Sequence, residues 1–355
     1  MEIPRTMKAA VLFDYNDLRI TEVPVPILQS GEALVKVNSV AICGSDPAII
    51  AKGWKGYPKL GEFIPGHEFT GIVVAVAPDV YEMKIGDRVA VEPHKGCGRC
   101  QNCLRGNYTT CLNYGNYDLG HRHYGFSTNG AYAEYAACHI NTLHKIPDSI
   151  PFEEGALLTG AGTVIYGYER IGWIRAGETV VVTGPGAIGL MSAHIAKILG
   201  AGRVILTGTR EERLEVGRRL GADITLNVRD HNPVDEVMKL TDNIGADMIV
   251  ECTGQAGPAA QALDMVRKNG RISYNGIYHE PVTLGLDKIV QWNLTITGPK
   301  AEGMLALERA IPLMADGRMN LKPLITHTFP LQEISEAFDT FTSRKGGAIK
   351  VIVKP

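Results

Sequence analysis

Residues 178–199 read ETVVVTGPGAIGLMSAHIAKIL. Thr179 to Thr183 form a short, β-branched apolar run, suited to a parallel strand buried on both faces. Gly184, Gly186 and Gly189 then fall at G-x-G-x-x-G spacing, and Ile188, Met191, Ile195 and Leu199 follow at helical intervals. The stretch therefore predicts strand, glycine turn and helix. In a dinucleotide-binding unit of this form the first glycine makes the tight turn, the second lets a pyrophosphate approach the backbone, and the third lets helix pack on strand. Free N–H groups at the helix start would face the phosphates, which makes Gly184, Gly186, Ile188 and Gly189 candidate cofactor contacts. In a chain with 40 glycines one such match can arise by chance. Its weight comes from the strand and helix alternation that continues downstream, with strands expected at 203–207, 223–227, 247–252, 271–274 and 294–297, as a doubly wound sheet requires.

The chain is 355 residues long, and single cores stop growing near about 250–300 residues, so two domains are expected. Hydrophobic content of 45% and charged content of 21% belong to a soluble globular protein. With 36 basic against 38 acidic residues there is no electrostatic case for nucleic acid or membrane binding, so small molecules are the expected partners. No apolar run reaches the length of a membrane span, and the start MEIPRTMKAA lacks a signal-peptide core, which predicts a cytoplasmic protein.

Residues 8–147 carry strand signals in AAVLF, LRITEV, EALVKVNSVAI, TGIVVAVA and DRVAVEP, with Pro, Gly and Asp between them. Four of the seven cysteines, Cys97, Cys100, Cys103 and Cys111, sit at C-x2-C-x2-C-x7-C spacing. Two-residue gaps let thiolates turn toward one ion, and four sulfurs close a tetrahedral shell, which predicts a structural zinc site in a reducing compartment. Cys43, in AICGSDP (41–47), and His67 and Glu68, in the G-H-E tripeptide 66–68, are further candidate metal ligands. Taken one at a time, each has a commoner reading: a buried small hydrophobe, a hydrogen-bonded interior histidine, a solvated charge.

Together the cysteine lobe, the C-G-S-D turn followed by G-H-E, and the G-x-G-x-x-G turn resemble the zinc-containing medium-chain alcohol dehydrogenases. The polyol (sorbitol-like) and threonine dehydrogenase branch is the most similar, and the likeness runs from Met7 to Pro355. The resemblance implies an α/β protein with a GroES-like β-rich catalytic domain at 1–150 and 298–355 and a Rossmann dinucleotide-binding domain at 151–297. It implies two zinc ions per chain, with Cys43, His67 and Glu68 holding the catalytic one and both sites in the GroES-like domain. It makes Asp46 the carboxylate that orients the ligand histidine and Ser45 the hydroxyl that contacts the substrate oxygen. A homodimer or homotetramer is implied too, because terminal Rossmann strands often pair between subunits in this family.

Two positions depart from the family pattern. The histidine that usually follows the zinc cysteine by five residues, and passes the alcohol proton to solvent, is Ala48 here. Where polyol and threonine members place a glutamate near the fourth zinc position, FEEGALLTGAGT (152–163) offers only Thr159 or Gly160. Glu153 and Glu154 are expected at a helix start instead, and the fourth position is expected to be taken by water or substrate. His94, His121, His123, His139 and His144 are expected in ordinary surface or hydrogen-bonding roles, Cys138 and Cys252 as core thiols, and Trp54 to Tyr57 as pocket lining or loop packing.

After the strand expected at 203–207 an acidic residue would hold an adenosine 2′-hydroxyl. The chain reads Gly208-Thr209-Arg210, similar to the Gly-Ser-Arg pattern of NADP-dependent members, with Thr209 and Arg210 available to a 2′-phosphate. NADP is the expected cofactor and NAD the alternative, in which Arg210 merely begins the next helix. Thr253, in ECTG (251–254), ends a strand at the edge where the nicotinamide half is expected. The reading is a zinc-dependent oxidoreductase that interconverts a secondary alcohol or polyol and its ketone. The alternatives are a physiological aldehyde or ketone reductase, and a noncatalytic nucleotide-binding protein, against which the set Cys43, His67 and Glu68 argues.

Overall fold

The computed structural model describes residues 2–303 and 305–355. Two compact units emerge, one made of Met1–Thr159, Glu302–Ala315 and Leu324–Pro355, the other of Gly160–Ala301 and Asp316–Pro323.

The first unit is built on a seven-stranded sheet. Its strands run in the order Ile325–Pro330, Lys350–Lys354, Glu32–Ala41, Glu68–Val76, Arg88–Val91 and Leu143–Lys145, and Tyr135–His139 also pairs with Glu32–Ala41. All pairs are antiparallel except the first, which is parallel. A separate hairpin, Thr6–Asp14 with Asp17–Pro24, adds Met7, Ala9 and Val11 to the buried core of Val35, Val37, Phe69, Val73, Val89, Val351 and Val353. The segment after Pro151 packs here: Phe152–Gly155 is a short helix with Glu153 and Glu154 in its first turn, and Thr70 Oγ1 donates to the Phe152 carbonyl at 2.8 Å.

The second unit is a six-stranded parallel sheet, ordered Ile224–Asn227, Arg203–Gly208, Thr179–Thr183, Ala246–Glu251, Val266–Tyr274 and Thr295–Thr297. Numbered along the chain this is order 3-2-1-4-5-6, the doubly wound arrangement whose reversal beside the first strand marks a ligand site. The central strand Thr179–Thr183 is paired on both sides, and Val180, Val181 and Val182 are fully buried, as the unbroken apolar run requires. The helix Ala187–Ile198 buries Met191 and Ile195 and leaves Ile188, like the capping residue Leu199, half-buried. Among the described residues no helix is long and apolar enough to cross a membrane.

Candidate metal and cofactor sites

In the first unit the ligand atoms of Cys43, His67 and Glu68 all lie within 4.8 Å of one another. Backbone register brings them together. Glu68 opens its strand opposite Ala41, so the chain leaving Ala41 toward Cys43 runs past Glu68 and His67. Asp46 begins the helix Asp46–Lys52, which the glycine turn after Cys43 had not announced in the sequence. Fully buried, Asp46 accepts through Oδ2 from the Cys43 N–H at 2.8 Å and from the Tyr132 hydroxyl at 2.9 Å. Its Oδ1 stands 3.1 Å from His67 Nδ1, within ion-pair reach though off the line of a good hydrogen bond. With Nδ1 turned to Asp46, Nε2 is the nitrogen of His67 left for a metal. Burial opposes charge on His67, but Asp46 and then Cys43 outweigh it and raise the imidazole well above its ordinary pKa. Ser45 precedes the helix, yet its hydroxyl makes no capping bond and lies 3.5 Å from His67 Nε2. One soft thiolate, one imidazole and one carboxylate, with a hydroxyl beside them, suit zinc with a position to spare. Thr159 is engaged elsewhere, donating to the Val91 carbonyl at 3.3 Å, and Gly160 belongs to the second unit.

The four thiols of the lobe also converge on one point. Cys97 and Cys103 have their sulfurs 3.9 Å apart and Cys100 and Cys111 3.8 Å. Four sulfurs at about 2.3 Å from one zinc stand about 3.8 Å apart, whereas a disulfide needs about 2.05 Å. All seven cysteines are free thiols. Backbone N–H groups of Cys100, Cys103 and Leu112 point at sulfurs at 3.3–3.5 Å, the arrangement that stabilises thiolates. Burial pushes the Cys97 thiol up, but the N–H groups of Arg99 and Cys100 more than offset it and bring it to about 6. Burial pushes Cys103 up to about 12, so the bare cluster keeps some thiols protonated until a dication draws the protons off.

Apart from Trp54, the wall beside His67 was not legible in the sequence. Phe126 is tilted against His67 with ring centroids 4.7 Å apart, His123 stacks on Phe126 at 3.8 Å, and His94 stacks on His123 at 3.6 Å. Glu302 Oε1 lies 2.7 Å from His94 Nδ1, and both side chains are about 3% exposed. Of the surface or hydrogen-bonding roles expected of His94, His121 and His123, the structure shows the hydrogen-bonding one: all three are buried, His94 against Glu302, His123 against the Tyr114 hydroxyl and His121 Nδ1 accepting from the Gly115 N–H. His94 Nε2 has no hydrogen-bond partner among the described residues. Trp54 completes the wall, edge-on to Phe126 at 5.3 Å and donating through Nε1 to the Tyr114 hydroxyl at 2.8 Å.

In the second unit the three fingerprint glycines do three different things. Gly184 takes φ +88°, and a Cβ on it would fall 2.7 Å from Thr253 Cγ2. A Cβ on Gly186 would meet nothing within 4 Å, so the backbone there faces open space at the N-cap of the helix Ala187–Ile198, as a pyrophosphate cradle requires. A Cβ on Gly189 would lie 1.9 Å from the Gly184 carbonyl oxygen, so helix and turn touch there. Ile188 is half-buried in the first turn of that helix. Thr253 donates its N–H to Glu251 Oε1 at 2.7 Å and its hydroxyl to the same oxygen, and Thr183 Oγ1 joins them at 3.2 Å. At the end of Arg203–Gly208, Gly208 is packed on Pro185, Thr209 is exposed, and Arg210 is the half-buried N-cap residue of Glu211–Arg219. No carboxylate stands at those three positions to hold a ribose hydroxyl.

Residues 29–148 match the family described as alcohol dehydrogenase GroES-like domain, and residues 187–316 match the zinc-binding dehydrogenase family. The chain is 32% identical to a sorbitol dehydrogenase of Bacillus subtilis (strain 168), over 99% of this chain and 98% of that one. Among solved structures it resembles a zinc-binding dehydrogenase of Sinorhizobium meliloti 1021 bound to NADP, with TM-score 0.87, 26% identity and 99% of each chain covered. It also resembles an alcohol dehydrogenase of Escherichia coli CFT073 complexed with NADH, with TM-score 0.89, 27% identity, and 99% of this chain and 100% of that one covered. This chain belongs to the zinc-containing medium-chain alcohol dehydrogenase family, and it is a zinc-dependent, nicotinamide-linked alcohol dehydrogenase.

Proposed function

We propose that this enzyme oxidises a secondary hydroxyl of a polyol or small sugar alcohol to the ketone, with NADP as acceptor and two zinc ions per chain. The observation that carries the reading is the convergence of Cys43, His67 and Glu68, with Asp46 behind the histidine and Ser45 beside it. When bound, zinc supplies Lewis acidity to the substrate oxygen and the nicotinamide accepts the hydride. The chain's own residues do the rest. Asp46 fixes the ring of His67 and presents Nε2, while Ser45, free of capping duty, accepts the proton of the substrate hydroxyl and passes its own on. Ala48 gives that proton no imidazole to travel to, so it leaves through water.

Several features support the finer choices. His94 Nε2, buried and without a hydrogen-bond partner among the described residues, suits a second hydroxyl on the substrate, since a buried polar atom left unpaired costs stability. Thr209 and Arg210 suit a 2′-phosphate. Thr295–Thr297 is an edge strand, and Ile277, Leu286 and Val290 are exposed apolar residues near it in the chain, which favours a homodimer or a homotetramer built on it. Four cysteines kept as thiols for zinc favour the cytoplasm.

A spectrophotometric screen tests the reading: polyols offered with NADP or NAD should yield reduced cofactor with at least one vicinal diol and NADP, and less with its mono-deoxy analogue. A protein that reduces neither cofactor with any alcohol, and oxidises neither with any ketone, is the noncatalytic alternative.

A further inference from the structure

His194 ties three separate stretches of the second unit together. It sits, half-buried, on the helix Ala187–Ile198 that begins at the glycine turn. Its Nδ1 donates to the Leu220 carbonyl at 2.8 Å, just past the end of the helix Glu211–Arg219. Its Nε2 accepts from the Asn320 N–H at 3.1 Å. A carbonyl only accepts and a backbone N–H only donates, so the two partners fix one neutral tautomer, with the proton on Nδ1 and a lone pair on Nε2.

Asn320 lies within Asp316–Pro323, a segment that leaves the first unit after Ala315, belongs to the second, and returns to the first at Leu324. Met319 and Leu321 are buried on either side of Asn320, whose Oδ1 accepts from the Lys322 N–H at 3.1 Å. Among the described residues the bond to His194 is the hydrogen bond that joins this segment to the rest of its unit. A proton on Nε2 would set one N–H against another, so the bond to Asn320 would be lost while the bond to Leu220 stayed.

Burial holds the His194 imidazole below its ordinary pKa, with the Leu220 carbonyl pulling the other way. The charged groups on the three stretches are largely engaged with one another. Lys197 is held by Asp223 at 3.0 Å, Arg218 by Glu211 and Glu215 at 2.5 and 2.6 Å, and Arg318 by Asp316 at 2.6 Å, while Glu212, Arg219 and Lys322 are exposed. The contribution of neutral His194 is therefore complete above the ordinary value of about 6.5 and is lost as pH falls through the lowered one.

We propose that His194 is a proton-sensitive latch: neutral, it clasps Asp316–Pro323 to the helix that carries the glycine turn, and in acid it lets both loosen. Each unit by which the clasped imidazole lies below the free one multiplies opening in acid about tenfold. His194→Gln keeps a donor and an acceptor at this position but does not titrate. Hydrogen exchange of the enzyme in excess zinc, from about pH 7.5 to about pH 5.5, is read on peptides covering 316–323 and 187–198 and corrected for the intrinsic pH dependence of exchange. In the wild type, protection of both should fall about tenfold relative to the central strand Thr179–Thr183, and in His194→Gln it should stay flat. The wild-type to variant ratio of the cofactor KM should rise over the same range, with kcat the smaller change. Protection that follows pH equally in both proteins, or a KM ratio flat in pH, overturns the proposal. If His194→Gln does not fold, nitrogen NMR of the wild type decides, read on the imidazole in contact with the Asn320 amide. A neutral ring protonated on Nδ1 that titrates below 6.5 is the result expected, and a proton on Nε2 or titration at or above 6.5 overturns the latch.

Discussion

A Cβ built on Gly208 would stand 2.4 Å from Cδ of Pro185, in the middle of the fingerprint turn. The end of the second Rossmann strand is thus packed directly on the phosphate-binding turn, and Gly208 is there to permit the contact. Replacing Gly208 by aspartate, the substitution a sequence comparison suggests for converting an NADP enzyme to NAD, should damage the turn itself. The informative changes lie next door. Arg210→Ala should reduce the NADP preference by tens- to a hundredfold in kcat/KM, the equivalent of about 2–3 kcal/mol of charge-assisted hydrogen bonding. Thr209→Asp, at an exposed position, should tip the balance toward NAD. Initial rates with both cofactors check this, and a wild type that already favours NAD contradicts the assignment.

The two cysteine sites should respond differently to loss of one sulfur. Cys100→Ser opens a shell whose four sulfurs are already at tetrahedral spacing, and should lower the melting temperature or disrupt assembly. Cys43→Ser should leave a folded and inactive protein. Differential scanning calorimetry with elemental analysis of both variants decides between this pattern and equal damage from each.

The pH dependence of stability should change sign with metal. His67 has its folded-state pKa raised above the ordinary value of about 6.5, so in chelator-treated protein its contribution is complete below pH 6.5 and is lost as pH rises through the raised value. With zinc present the proton is a competitor, and affinity falls as pH is lowered through the same range. Melting temperatures across pH 6–9, with and without chelator, should therefore slope in opposite directions where His67 dominates.

The proposed exit of the proton through water past Ala48 makes diffusible bases the expected substitute for the missing imidazole. Alcohol oxidation near neutral pH should rise with imidazole concentration, and Ala48→His should remove that dependence. General-base assistance is typically worth about 10²–10⁴-fold, of which a good water chain supplies part. Rates flat in imidazole, under conditions where chemistry limits turnover, would mean that another residue completes the relay.

The local parts of this molecule were legible in its sequence, and the assembled parts were not. The run Thr179–Thr183, its glycines and its helix are written contiguously, so strand, turn and helix followed from periodicity and spacing. The cysteine lobe spans only fifteen residues, and its sulfur geometry follows from that spacing. Lys350 and Glu68 are separated by 282 positions, and His94 and Glu302 by 208, with no local pattern to mark either pair. Nothing local in AIKVIVKP sets Lys350 apart from Lys354, and only strand pairing places it beside Ile42. The steric role of Gly208 was hidden for the same reason, because the partner is Pro185.

The central claim is that the ion held by Cys43, His67 and Glu68 is the one the reaction needs. The direct measurement is graded removal of zinc, with metal content and alcohol-dependent cofactor reduction followed on the same samples. The account predicts about two zinc ions per chain at full activity. It predicts activity lost in proportion to the first ion removed while the fold persists, and activity restored on adding zinc back. Full activity at one zinc per chain, or activity that survives loss of the faster-exchanging ion, would contradict it.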